Sequence, residues 1–292
     1  MSEENKADNS CCASCGVAEV DEIKLKECDD CDLVRYCSDA CQQNRKSQHE
    51  EDCKKRAAEL RDELLFKQPE SRHDDECSIC CLPLSLDVKK SGMYMCCSKI
   101  ICGGCVYANE IREDDASMVR SCPFCREAVC NTKEGRDRQN KKRAVANDPV
   151  ALREKGIIKR EMGDCSVAFE YFTKAAELGD TGSHHQLSCM YHGGEGVEKD
   201  ERKKIYHAEE AAIGGHTEAR YNLGMYEGCK GNYERAVKHF IISAKQGHDG
   251  SMKFLMKAFK EGDVSKEELA AALRAHQAAV NATKSPQRDA AP

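Results

Sequence analysis

The chain has 292 residues, a formal net charge of −6 from 45 basic and 51 acidic side chains, 5% aromatic content and no tryptophan. Such an acidic balance disfavours general nucleic-acid binding, which needs a surplus of Lys and Arg on one face. The 5% aromatic content argues against one large aromatic-rich core, and the chain offers no 18-residue apolar run for a helix that crosses a membrane. What stands out is 21 cysteines, 18 of them before residue 131. Residues 1–10 read as disordered and lack the basic start and apolar stretch of a secretory signal. The expected compartment is therefore the cytosol or nucleus, where disulfides are rare and metal is the first use for so many thiols.

Residues 11–53 are cysteine-dense: Cys12-x2-Cys15, Cys28-x2-Cys31, Cys37-x3-Cys41 and His49-x3-Cys53. Both sulfurs of a C-x2-C pair can reach one tetrahedral zinc ion. Eight ligands make two closed sites, and a segment this short and polar needs metal for much of its folding energy. The spacing, with Tyr36 before Cys37 and Gln42 after Cys41, resembles a MYND zinc finger. That resemblance implies interleaved sites, Cys12, Cys15, Cys37 and Cys41 on one ion and Cys28, Cys31, His49 and Cys53 on the other. Where the family carries a Trp used in binding proline-rich peptides, this chain has Lys46. Residues 54–76 follow as a charged helical linker, with apolar positions at Ala57, Leu60, Leu64 and Leu65 and a stop at Pro69.

A second cluster fills residues 77–130: Cys77-x2-Cys80, Cys96-Cys97, Cys102-x2-Cys105 and Cys122-x2-Cys125. It resembles a RING finger, with Cys-Ser-Ile-Cys at its start and Cys-Pro-Phe-Cys-Arg at its end. Lys99 stands where a common RING has its histidine, and the Cys96-Cys97 doublet can supply the missing ligand. Cross-brace order implies Cys77, Cys80, Cys102 and Cys105 on one ion, and Cys96, Cys97, Cys122 and Cys125 on the other. RING fingers promote ubiquitin transfer by binding a ubiquitin-conjugating enzyme and positioning its conjugate. The resemblance puts Ile79 and Pro123 against that enzyme and gives Arg126 hydrogen bonds to enzyme and ubiquitin. No covalent intermediate on this chain is implied. Each residue also has a plain structural reading: core for Ile79, loop shape for Pro123, a solvated charge for Arg126. Cys11, Cys81 and Cys130 fall outside the spacing.

Residues 131–146 carry a net +4 and read as a basic linker. From residue 147 to 262 the chain repeats. Ala151, Gly156, Gly163, Ala168, Phe172, Ala176 and Gly179 match Ala219, Gly224, Gly231, Ala236, Phe240, Ala244 and Gly247 at one offset. A period in the thirties means stacked helix–turn–helix units, with Gly179, Gly215 and Gly247 as helix ends. Ala219, Leu223, Gly224 and Tyr226, with Gly194, Gly196, Val197 and Asp200, resemble Sel-one-like (Sel1) repeats, which are related to tetratricopeptide repeats. Ser265 to Glu268 reads as a capping box that opens a closing helix over 263–282, and 283–292 reads as a disordered tail. Cys165, Cys189 and Cys229 read as packing residues, and the His184-His185 pair as helix surface.

The expected architecture is two tandem cross-brace zinc fingers followed by an all-α helical-repeat solenoid. The expected cofactor is zinc, about four ions on sixteen ligands at four per site. With 15 thiolates and four dications the net charge moves to about −13, further from nucleic acid. Partners should be proteins. Two readings stay open: a RING-type ubiquitin ligase whose repeats hold the substrate, and a non-catalytic adaptor that scaffolds complexes.

Overall fold

The computed structural model describes residues 11–20, 24–28, 30–31, 34–72, 76–130 and 132–291, and it divides into two compact units, residues 1–67 and 68–292. Residues 1–10 and the side chain of Lys46 lie outside what is described.

In the first unit, strands β1 (Lys26–Glu27) and β2 (Arg35–Tyr36) pair antiparallel, Lys26 opposite Tyr36. Helix α1 (Asp39–Phe66) follows, with Ser38 capping the Cys41 N–H at 3.3 Å. The helix starts fifteen residues before the segment read as a helical linker. Its first half shows no apolar stripe, because metal-ligand positions and ion pairs such as Lys54–Glu50 take that role. The helix stops three residues before Pro69, whose ring restricts the residue ahead of it. Leu25, Tyr36 and buried cysteines Cys12, Cys28 and Cys31 form the small core.

The second unit opens with a hairpin, β3 (Ser91–Tyr94) and β4 (Lys99–Cys102), in register Ser91 to Cys102 and Tyr94 to Lys99. Helix α2 (Gly103–Asp115) continues directly from β4. The stretch read as a basic linker is largely helix, α3 (Lys133–Val145), capped by Thr132. Basic residues dominate its sequence, but Asn140 and Ala144, one turn apart, are buried, and Ala144 packs with Ala151, Leu152 and Ala175. Arg143 also donates to Ser98 Oγ at 3.1 Å, tying α3 to the hairpin turn.

Helices α4 (Pro149–Glu161), α5 (Cys165–Glu177), α6 (Thr181–Gly193), α7 (Glu201–Ile213), α8 (Thr217–Cys229), α9 (Tyr233–Lys245) and α10 (Asp249–Glu261) stack as a solenoid. The tightest pairs are α4 with α5, α6 with α7 and α8 with α9. Small residues permit this. A Cβ on Gly156 would lie 2.6 Å from the Phe172 ring, and one on Gly224 would lie 2.9 Å from the Phe240 ring. In the middle pair the corresponding ring position is Ala208, and Ser188 stands in for the glycine. Gly179, Gly215 and Gly247 follow their helices with φ of +87°, +86° and +94°, a region that favours glycine.

Helix α11 (Lys266–Ala282) begins with the reciprocal Ser265–Glu268 capping box, and Ala272 on it is fully buried. The segment read as a disordered tail holds a further short helix, α12 (Pro286–Asp289), which packs against α2. The physical reason lies far back in the chain: Arg288 donates to the carbonyls of Leu82 and Pro83. Among the described residues no helix is long and apolar enough to cross a membrane.

Candidate metal centres

Three short turns with one geometry hold three of the C-x2-C pairs. Each starts with a cysteine carbonyl that accepts from the N–H four residues on: Gly16 to Cys12, Cys81 to Cys77 and Arg126 to Cys122, at 2.8–2.9 Å. Each cysteine N–H is in turn bonded across the loop, to Val17, Leu82 and Glu127. Paired residues flank each turn: Cys11 with Ala18, Glu76 with Pro83 and Ser121 with Ala128. The fifth residue must turn left-handed, with φ of +74° at Gly16, +55° at Cys81 and +63° at Arg126. The same turns aim the Leu82 N–H at the Cys80 sulfur and the Glu127 N–H at the Cys125 sulfur, which favours thiolate there.

Cys28 and Cys31 lie in the loop that follows β1, and most of the other ligands lie on regular elements. Cys41, His49 and Cys53 sit on α1, where the i, i+4 spacing of His49 and Cys53 shares one face. Cys102 ends β4 and Cys105 lies in the first turn of α2. The Cys96-Cys97 doublet lies in the turn of the β3–β4 hairpin, between Tyr94 and Lys99.

The structure brings these side chains together as four groups, each with its ligand atoms within 4.8 Å of one another. They are Cys12, Cys15, Cys37 and Cys41; Cys28, Cys31, His49 and Cys53; Cys77, Cys80, Cys102 and Cys105; and Cys96, Cys97, Cys122 and Cys125. The doublet therefore points both sulfurs into one group. Among the described residues these are all the groups of three or more such donors. His184 and His207 approach to 3.0 Å between their Nδ1 atoms but join no third donor.

The donor sets fit zinc. A tetrahedral ion with bonds of about 2.3 Å holds its sulfurs about 3.8 Å apart. The observed separations include Cys28–Cys53 at 3.7 Å, Cys37–Cys41 at 3.6 Å, Cys80–Cys102 at 3.9 Å and Cys97–Cys122 at 3.8 Å. Cys96–Cys125 is 3.4 Å, and Cys31 Sγ lies 3.1 Å from His49 Nε2. Acidity within one group is uneven. At Cys12 burial opposes the thiolate, but backbone hydrogen bonds from Cys15, Cys37 and Ser14 outweigh it and bring the thiol down to about 6. At Cys37 hydrogen bonds with Cys15, Cys41 and Cys12 hold the proton and push it up to about 12. Only a cation at the centre lets all four thiolates coexist.

The residues expected to meet a conjugating enzyme fall in different surroundings. Ile79 is 41% exposed on its turn, and Phe124 on the second turn is 45% exposed. Pro123, expected on that surface, is buried instead, held inside its turn. Arg126 is exposed but donates to Asn109 Oδ1 on α2 at 3.0 Å. Sequence reasoning missed Glu113, a fully buried carboxylate that accepts from both the N–H and the hydroxyl of Ser121 and so anchors α2 to the turn before Cys122. The Ser121 hydroxyl bond keeps its carboxyl below the usual range. Cys11 and Cys81 are exposed and Cys130 is half-buried, and all three stand outside the groups.

The family model described as the MYND finger matches residues 12–53, and the one described as the Sel1 repeat matches residues 151–180, 182–216 and 217–248. The chain carries a MYND finger and three Sel1 repeats. Chitin synthase regulatory factor 4 of Schizosaccharomyces pombe (strain 972 / ATCC 24843) is 29% identical over 99 residues, 34% of this chain. The match spans about 15% of that protein's length. A Sel1 repeat protein from Oxalobacter formigenes is similar over 61% of this chain and 74% of its own, at 22% identity and a TM-score of 0.45. The c5321 protective antigen of uropathogenic Escherichia coli strains, which displays an SLR fold, is similar over 51% of this chain and 33% of its own, at 29% identity and a TM-score of 0.41. The MYND finger and the Sel1 repeats support zinc binding and protein–protein interaction.

Proposed function

We propose that the chain is a RING-type ubiquitin ligase: its second finger docks a ubiquitin-conjugating enzyme and its repeats hold the protein to be modified. The observation that carries this reading is the interleaving of eight cysteines, the first and third pairs on one centre and the doublet and last pair on the other. That arrangement rigidly spaces two turns, and Ile79 and Phe124 on them stay exposed as apolar anchors. Four zinc ions would hold the two fingers, and their reduced thiols suit a cytoplasmic or nuclear setting. On the repeats, Tyr206, Met225 and Tyr233 on successive helices are exposed, residue types suited to binding a protein.

A non-catalytic adaptor is favoured by two observations, the burial of Pro123 and the engagement of Arg126 by Asn109. Autoubiquitination of the full chain with a panel of conjugating enzymes separates the two. The ligase reading expects ubiquitin chains with at least one enzyme, reduced at least tenfold by Ile79→Ala. Arg126→Gly removes the side chain while keeping the left-handed turn, and it should also reduce them. No chains with any enzyme, at full metal content, would leave the adaptor.

A further inference from the structure

The last helix of the chain reaches back to the third group of cysteines. Arg288 on α12 donates through Nη2 to Cys80 Sγ at 3.5 Å and to the Leu82 carbonyl at 2.9 Å, and through Nη1 to the Pro83 carbonyl. Gln287 donates to the Gly104 carbonyl at 3.3 Å and lies 3.8 Å from Cys105 Sγ. The Leu82 carbonyl is the one that accepts from Cys77 N–H, so Arg288 grips the same turn that presents Cys77 and Cys80. The helix is fixed for this task by Ser285, which caps Arg288 N–H at 3.2 Å, and by a bond from Arg288 Nη1 to the Thr283 carbonyl at 2.7 Å.

A second, independent feature is Gly104, between the ligands Cys102 and Cys105. A Cβ there would lie 2.8 Å from Arg288 Cα and 2.8 Å from the Gln287 carbonyl oxygen. The backbone of the tail thus seats directly on the first turn of α2, at a spot that only a glycine leaves open.

Four thiolates around one dication leave a net charge of about −2. A guanidinium at their edge offsets part of that charge, and N–H donors to ligand sulfur tune the metal and hold its ligands in place. We propose that Arg288 and Gln287 are outer-sphere positioning residues of the Cys77, Cys80, Cys102 and Cys105 centre, so that the C-terminal helix clamps the metal of the second finger. The proposal rests on zinc occupying that centre. Seating the tail slows the opening of the Cys80 turn and thereby slows metal loss. It also links the far end of the repeat stack to the state of the finger.

The test uses the full zinc-loaded chain, with metal content measured first and zinc release then timed with a chromogenic chelator. Arg288→Ala and Gly104→Ala should each speed the loss of one ion by about tenfold to a hundredfold. The double variant should be no faster than the faster single, since both undo one contact. Arg288→Lys, which keeps the charge but not the fork, should fall between. In the cobalt-substituted protein Arg288→Ala should move part of the sulfur-to-metal charge-transfer absorption to lower energy, because a sulfur without its donor gives up charge more readily. Gly104→Ala leaves every ligand and Arg288 intact, and Ala suits a helix better than Gly, so a faster release there cannot come from a weaker α2. Release within twofold of wild type in both single variants, at unchanged metal content, would overturn the clamp. A wild-type chain lacking metal at this centre would instead overturn the zinc reading beneath it.

Discussion

One substitution, Gly→Ala, should act with opposite sign at different points of the same solenoid. At Gly156 the new methyl would sit 2.6, 2.8 and 2.9 Å from three ring atoms of Phe172, whose side chain is fully buried and has no room to swing away. Overpacking of this kind costs about 1–3 kcal/mol, against a gain of up to about 1 kcal/mol for Ala over Gly in a helix. The net expectation is a loss of about 1–2 kcal/mol, or a fall in melting temperature of about 3–6 °C for a unit of this size. Gly224→Ala, 2.9 Å from two atoms of the Phe240 ring, should behave alike but more mildly. At Gly228, in the same helix as Gly224, the nearest atom to the added methyl is Ala236 Cβ at 3.9 Å. There only the helix gain remains, and the melting temperature should rise by about 1–3 °C. Thermal unfolding followed by the helical circular-dichroism signal reads all three. In a Phe172→Ala background, Gly156→Ala should turn stabilising, because the ring it strikes is gone. Equal shifts of one sign at all three glycines would refute the packing argument.

Two further predictions concern the repeats. Arg153 and Asp180 form a buried ion pair at 3.0 Å, and Asp180 also caps α6 through Ser183 N–H at 2.7 Å. Asp180→Ala should cost about 3–5 kcal/mol in denaturant unfolding, and Asp180→Asn, which keeps the cap, clearly less. Burial, with His184 and Lys203 beside it and only Glu210 opposing, pushes His207 down to about 4. The unfolded chain takes up this proton near pH 6.5 and the folded one does not, so its stabilising contribution is complete above about 6.5 and declines as pH falls toward about 4. The helical melting temperature should therefore drop between about pH 7 and pH 5, less steeply in His207→Gln. Equal slopes in the two proteins would contradict this assignment.

The sequence carried the solenoid well because its packing devices are local and repeated. Gly156 with Phe172 and Gly224 with Phe240 recur at one offset, and the ring-into-glycine contact they encode is the one observed. The four donor groups were legible for a different reason: ligand chemistry restricts spacing more tightly than packing does. Where legibility failed, the deciding partner was either masked by composition or far away in sequence. The charge of α3 hid Asn140 and Ala144, whose burial depends on α4. The role of Arg288 could not be read locally, because its acceptors Leu82 and Pro83 lie some two hundred residues earlier. Arg126 offered a clue that went unread. It holds the left-handed position that Gly16 fills in the first turn, so part of its identity as a conspicuous residue is simply that the turn places it there. Glu113 gave no signal either, being one acidic residue in an acidic helix until Ser121 folds over it.

Sixteen side chains gather in four donor groups, and metal content shows whether each holds an ion. Inductively coupled plasma measurement on the purified full chain should give about four zinc ions per chain. Cys97→Ser, which removes one donor from the group of Cys96, Cys97, Cys122 and Cys125, should lower the count by about one. A count of two or fewer in the wild type, or an unchanged count in Cys97→Ser, would contradict the four-centre account.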